Sequence, residues 1–250
     1  LSSSSAASDV YKRQQLLDQI ALGYFKNFKN YSIEIETFYK KTKNRIDYID
    51  GANLIANKAI EQVLLNGRSR AFGLELLFRK NKGRFKGWLA YTLSKSEQQT
   101  MGRNNSEPGI NNGNWYKTPF DKTHDISVTG SYELNDKWEL NANFLYQTGQ
   151  PTTYPNGQYI YNGLVIPTYE TRNSSRLPAY HRFDLSAKYT PKPERIKAWR
   201  GEWVFSIYNL YNRKNTQSLN FRQNDNTGQN EALKLSIFGA IAAVSYNFKF

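Results

Sequence analysis

Ser236-Ile-Phe-Gly-Ala-Ile-Ala-Ala-Val-Ser-Tyr-Asn-Phe-Lys-Phe250 closes the chain, and its reading decides the fold. Val244, Tyr246, Phe248 and Phe250 alternate with Ala243, Ser245, Asn247 and Lys249. Period-two alternation makes a strand with one apolar and one polar face. A domain in water normally ends in a polar, frayed tail, whereas this one stops on an aromatic. An apolar face against lipid and a polar face against water is the pattern of an outer-membrane barrel strand. An inner strand of a soluble β-sandwich alternates in the same way, so the remainder of the chain must discriminate.

Working back from the end, the alternation recurs. Apolar faces are carried by Ile20, Leu22 and Tyr24, by Tyr31, Ile33 and Ile35, and by Phe72, Leu74, Leu76 and Phe78. Residues 84–95 place Phe85, Leu89, Tyr91 and Leu93 together; residues 125–134 place Ile126, Val128 and Tyr132. Trp138, Leu140 and Phe144, then Phe183 and Leu185, then Trp203, Phe205 and Ile207 complete the set. In the last stretch Leu233, Leu235 and Ile237 are apolar at odd positions but Val244 onward at even ones, which predicts a bulge near 239–243. Residues 54–65 read as a short helix or a ragged strand.

The connections separate the two folds. Short ones at 26–30, 80–83 and 135–137 and a moderate one at 191–201 alternate with long ones near 40–66, 96–120, 148–179 and 212–231. Barrels of the outer membrane have short periplasmic turns and long extracellular loops, and about ten alternating residues span a tilted strand. Tyr132, Trp138, Tyr146, Tyr180 and Tyr189 sit near strand ends, where interface aromatics belong. The predicted fold is therefore all-β: an antiparallel transmembrane barrel portion of about nine meander strands. Parity sends the last strand toward the periplasm. Nine is odd, whereas a single-chain bacterial barrel has an even number, so at least one further strand is expected upstream.

Composition bounds the function. The chain has no cysteine, which removes disulfides and thiolate chemistry. Its net charge of +13 raises a nucleic-acid partner, but Arg68, Arg70, Arg79, Lys80, Lys82 and Arg84 scatter through turns and loops as solvated charge, and charge at a membrane surface also meets lipid headgroups. Mean hydropathy is −0.72, and no run approaches a membrane helix. Residues 1–14 read as a sequence artefact, a translated adapter or assembly junction, and residues 15–250 as the domain.

No residue set carries catalysis. His124 and His181 lack a second ligand at metal spacing and read as structural hydrogen-bonding groups beside Asp125 and Asp184. Glu34 with Glu36, and Glu133 with Glu139, read as lumen-facing charge rather than as glycosidase pairs. Neither a nucleophile elbow nor a phosphate loop occurs, and no metal or cofactor site is expected. Asn209 and Asn212 read as formers of bends and loop contacts. Trp115, Tyr116, Tyr154, Tyr159, Tyr161 and Tyr169 in the long loops would either stack on a ligand or pack the loops.

Several stretches resemble the barrel of TonB-dependent outer-membrane receptors, especially those of Bacteroidota. They are Asn66-Gly-Arg-Ser-Arg-Ala-Phe-Gly-Leu-Glu-Leu-Leu-Phe-Arg-Lys80, Trp115-Tyr-Lys-Thr-Pro-Phe-Asp-Lys-Thr-His-Asp125, Arg176-Leu-Pro-Ala-Tyr-His-Arg-Phe-Asp-Leu-Ser186 and Val204-Phe-Ser-Ile-Tyr-Asn-Leu-Tyr-Asn-Arg-Lys-Asn215. The resemblance implies a plugged barrel of about 22 strands with this chain at its carboxyl end, and with signal peptide and plug domain upstream. It also implies active uptake of a siderophore, glycan or peptide-like ligand, energised through TonB by way of that plug. Tyr246, Phe248 and Phe250 resemble the terminal signal read by the barrel-assembly machinery, a role compatible with lipid-facing packing. A barrel of another class, a passive porin or an outer-membrane enzyme, and a soluble β adhesin remain the alternatives.

Overall fold

In the computed structural model, which describes residues 14–55, 57, 59–191, 200–224 and 226–249, nine strands form one antiparallel meander. They are β1 (Leu16–Asn27), β2 (Tyr31–Tyr48), β3 (Leu64–Lys80), β4 (Phe85–Thr100) and β5 (His124–Glu133), followed by β6 (Trp138–Gln147), β7 (Tyr180–Tyr189), β8 (Arg200–Tyr208) and β9 (Ile241–Lys249). Each pairs with the next, and β1 and β9 are the two edges.

The register carries the apolar face across the sheet without a break. Tyr24 meets Ile35, and the row continues through Leu76, Tyr91, Ile126 and Tyr146 to His181. Since successive side chains point to opposite faces, the neighbouring row holds Glu36, Glu75, Thr92, Asp125 and Gln147. The polar face is laced with charge pairs, Lys86 to Glu133 at 2.6 Å and Arg79 to Glu34 at 3.8 Å among them. Glu139 pairs with Lys188.

The outer face is uncovered by protein: Ile20 is 70% exposed and Val244 62%. At about 25 cal/mol per Å2, a face left in water forfeits the burial energy that drives folding, whereas lipid supplies it. The fully buried apolar side chains among the described residues are only Leu65, Ile110 and Tyr116, so this sheet has no core of its own. Rings gather at the short-turn end, with Phe28 and Tyr31 4.4 Å apart, Trp138 and Tyr189 4.7 Å apart, and Trp203 and Tyr246 4.7 Å apart. They form one rim of an aromatic girdle.

The structure corrects three boundaries. β2 runs to Tyr48, β3 begins at Leu64 and β4 runs to Thr100, so the first two long loops are shorter than the alternation suggests. Among the described residues of 49–63 the one regular element is a 3-10 turn, Ile60–Val63. The expected bulge near 239–243 is absent; Asn230–Leu235 pairs with Ser218–Gln223 in a separate loop hairpin, and β9 starts afresh at Ile241. The change of phase marks a change of sheet. Gly239 stands at the junction because a Cβ there would lie 2.4 Å from the Asn212 side-chain oxygen. A true bulge occurs elsewhere, between Thr42 and Arg45, where Asn44 adopts φ 57°.

Candidate functional site

The long-loop end of the sheet is roofed by 101–123, 148–179 and 209–240, and two arginines fasten the middle loop. Arg172 donates to Asp47 at 2.9 Å, to the Tyr48 carbonyl at 3.0 Å and to the Asp50 carboxylate. Its backbone is gripped by Asn111, whose amide donates to the Arg172 carbonyl at 3.0 Å while its oxygen accepts the Arg172 N–H at 2.8 Å. Burial works against the Arg172 charge, but the Asp50 hydrogen bond and the Asp47 and Asp50 charges prevail and raise its pKa. Arg176 pairs with Asp121, which is 1% exposed, and donates to the carbonyls of Asp121 at 3.0 Å and Gly149 at 2.9 Å. A buried carboxylate is tolerated only when paired and hydrogen-bonded. Arg176 supplies both.

Tyr116, on the two-residue strand Tyr116–Lys117 that pairs antiparallel with the upper part of β4, is 5% exposed. Its hydroxyl donates to Asp47 at 2.6 Å and lies 2.9 Å from Gln98 Nε2 and from Thr100 Oγ1. Burial, then the Asp47 carboxylate, pushes its pKa up to about 12. Asp47 thus joins β2, β4 and two loops.

Above this floor stand two hairpins, Gly157–Tyr161 with Leu164–Thr168 and Ser218–Gln223 with Asn230–Leu235. A cleft of about 660 Å3 opens between them, lined by Pro155, Gln158, Pro167, Phe221, Gln223 and Asn230 among others. Amide groups beside a ring and prolines suit a ligand with hydroxyl or amide edges and an apolar body.

The candidate aromatics are dispersed. Tyr154 sets its ring edge-on to Phe221, 5.2 Å between centroids, and donates its hydroxyl to the Arg176 carbonyl at 2.9 Å. Tyr159 and Tyr161, 54% and 63% exposed, share a hairpin face with Leu164 and Ile166, opposite the face that lines the cleft. Tyr169 borders a smaller cleft of about 280 Å3 with Asp50, Thr153 and Arg172. Trp115 lies on the outward side of the sheet beside Arg70, and Tyr116 is sealed in the floor. Tyr246 and Phe248 lie on β9 at the girdle, and Phe250 falls outside the described residues.

Both histidines are hydrogen-bonded, to tyrosines rather than to the acids beside them. His124 Nδ1 is 2.9 Å from the Tyr91 hydroxyl and His181 Nδ1 2.7 Å from that of Tyr211. Strand alternation sends Asp125 and Asp184 to the lumen face and both imidazoles outward. Asn209 and Asn212 adopt φ 54° and 55° at the end of β8; Asn209 is 1% exposed and its side chain brackets Arg213. Asp47, Arg172, Asp121 and Asn111 were not recognisable as site residues, although Asp121 and Arg176 lie inside the stretches that carry the family resemblance.

An uncovered apolar face, a charge-lined inner face and roofed loops at one end define a transmembrane β-barrel sheet of the outer membrane. The chain belongs to the TonB dependent receptor-like β-barrel family, whose model matches residues 19–210. Among solved structures it is similar to the ferric-catecholate import receptor Fiu of E. coli K12, with 14% identity and TM-score 0.57 over 94% of this chain and 27% of that one. It also resembles the ferripyoverdine receptor of Pseudomonas aeruginosa, with 12% identity and TM-score 0.59 over 94% and 27%. The FrpB iron transporter of Neisseria meningitidis gives 12% identity and TM-score 0.56 over 96% and 31%. At such identities the likeness is one of fold, and the chain spans less than a third of these proteins' length. No curated protein sequence matches the chain.

Proposed function

We propose that this chain is the carboxyl-terminal part of a TonB-dependent receptor that takes up a scarce nutrient, with signal peptide and plug upstream of residue 15 and further barrel strands pairing with the free edges of β1 and β9. Family membership supports the reading, and the roof of long loops pinned by Arg172 and Arg176 is the single observation that carries it. A passive pore gains nothing from a roof held by a buried ion pair. A receptor needs a preformed outer surface, because rigid presentation reduces the ordering cost of binding.

Ligand contact is assigned to the cleft between the two hairpins and to the exposed rings of Tyr159, Tyr161 and Tyr169, with Tyr154 buttressing Phe221 and Trp115 outside this surface. The proteins of like fold named above handle iron complexes, which supports an iron chelate as the first class to try; a glycan or peptide fits the same amide-lined cleft. Energy would come from TonB through the plug, and Tyr246, Phe248 and Phe250 would present the chain to the barrel-assembly machinery. The test is uptake of labelled ferric chelates, oligosaccharides and peptides by cells carrying the intact receptor, with and without functional TonB. Surface binding should persist and uptake cease without TonB. Undiminished uptake would identify a passive pore instead.

A further inference from the structure

The outward face of β2 to β4 changes character abruptly at its upper edge. Tyr39 and Phe72, paired across β2 and β3, give way at the next outward positions to Lys41 and Arg70 as a cross-strand pair, and outward apolar residues return only past the bulge, with Ile46 and with Tyr48 opposite Leu64. Lys43 and Arg68 follow one step higher, Lys95 succeeds Leu93 on β4, and Lys117 continues the row opposite Glu97. Against these six cations stand two carboxylates. Glu97 is consumed internally, 2.8 Å from Arg70 and 2.6 Å from Lys95. Asp18 lies 3.7 Å from Lys43. The side chains of Lys43 and Lys95 remain 54% and 51% exposed. Trp115 faces Arg70 at 4.2 Å and Arg68 at 5.4 Å, which stiffens both guanidinium groups.

The opposite half of the sheet lacks this band. At the corresponding rim β5, β6 and β7 hold His124, Tyr146 and His181. Like charges at strand spacing repel, so an uncompensated row invites anions. Height settles which anions. From Tyr31 at the lower girdle to Tyr39 the tilted strand climbs about 20 Å, which brings Lys41 to the outer headgroup level, directly above rings and leucines that meet acyl chains.

We propose that Lys41, Lys43, Arg68, Arg70, Lys95 and Lys117 form a docking band for the net-anionic phosphate headgroups of outer-leaflet lipid, with the acyl chains lying over Tyr39, Phe72 and Leu74 below. The band anchors lipid to one side of the barrel wall and is independent of what the receptor transports.

The experiment is native mass spectrometry of the intact receptor in mild detergent, offered phosphatidic acid and phosphatidylcholine of matched acyl chains. Because each cation at an anionic surface contributes roughly a fivefold preference, phosphatidic acid should be retained at least about tenfold better. The triple variant K41Q/K43Q/K95Q should bring the two lipids to parity, while K41R/K43R/K95R should keep the preference. Equal retention by the unaltered receptor would overturn the proposal, as would a preference insensitive to ionic strength, a measurement that needs no variant to fold. Full displacement of phosphatidic acid by inorganic phosphate would show a site for free anions, and would overturn the assignment to lipid.

Discussion

The two halves of the sheet share one alternation and end differently. In the first half β2, β3 and β4 are 18, 17 and 16 residues long; in the second, β5, β6 and β7 have 10 each. Ten residues suffice to cross the bilayer, so the first half stands above it. The excess is stable because Leu65, Ile110 and Tyr116 bury one another there, with the hydroxyl of Tyr116 bonded to Asp47. At the top of β8 the chain instead turns away through Asn209 and Asn212. A strand continues beyond lipid only where something packs on it.

The Arg176 to Asp121 pair joins the loop of the tall half to that of the short half, so breaking it should have the largest effect. Asp121→Ala strands a buried guanidinium and is expected to destabilise the roof by about 3–5 kcal/mol; protease nicking within 148–179 should accelerate while the heat-resistant sheet persists. Asn209→Ala, confined to the short half, removes the Arg213 bracket and leaves a Cβ residue at φ 54°. A loss of about 2–3 kcal/mol is expected, seen as faster nicking of 209–240 with 101–123 unaffected. Spread of that damage into the tall half would break the distinction.

Tyr116→Phe leaves Asp47 without one donor and should cost about 1–3 kcal/mol, read from amide exchange at the top of β2 to β4. It also carries a pH signature. The folded pKa of about 12 exceeds the ordinary 10.0, so the native state keeps a proton that the unfolded state loses. Stability from this group is complete below pH 10 and is lost as pH rises toward 12. The Phe variant should lack that decline.

The smallest effect belongs to Glu107, whose carboxylate is held down to about 2 from 4.5 by hydrogen bonds from the side chain and backbone of Arg103. Its contribution is present above pH 4.5 and fades as pH falls toward 2. The pair is exposed, so only exchange within 101–109 should quicken in acid, and Glu107→Gln should remove that pH dependence without altering strand protection.

What the sequence could reveal follows from contrast between faces. Where one face meets lipid and the other water, apolar and polar residues alternate, and all nine strands and the side of the long loops were legible. Above the bilayer the outward face turns first to Lys and Arg and a bulge shifts the phase between Thr42 and Arg45, so Lys40-Lys-Thr-Lys-Asn-Arg-Ile-Asp-Tyr48 carries no unbroken alternation although it is strand. The hairpin at 230–235 erred in the other direction: Leu233 and Leu235 alternate well, but nothing local says which sheet they join.

From the sequence alone came the membrane strands and their lipid face, because period-two burial is a property of neighbouring residues, and the family resemblance, because its motifs are local. Tertiary structure alone decided the roof. Arg172 and Asp47 stand 125 residues apart and Arg176 and Asp121 stand 55 apart, and charge partners at such separations leave no periodic mark. Tyr116 became a buried acid-base neighbour of Asp47 only once two loops closed over β4.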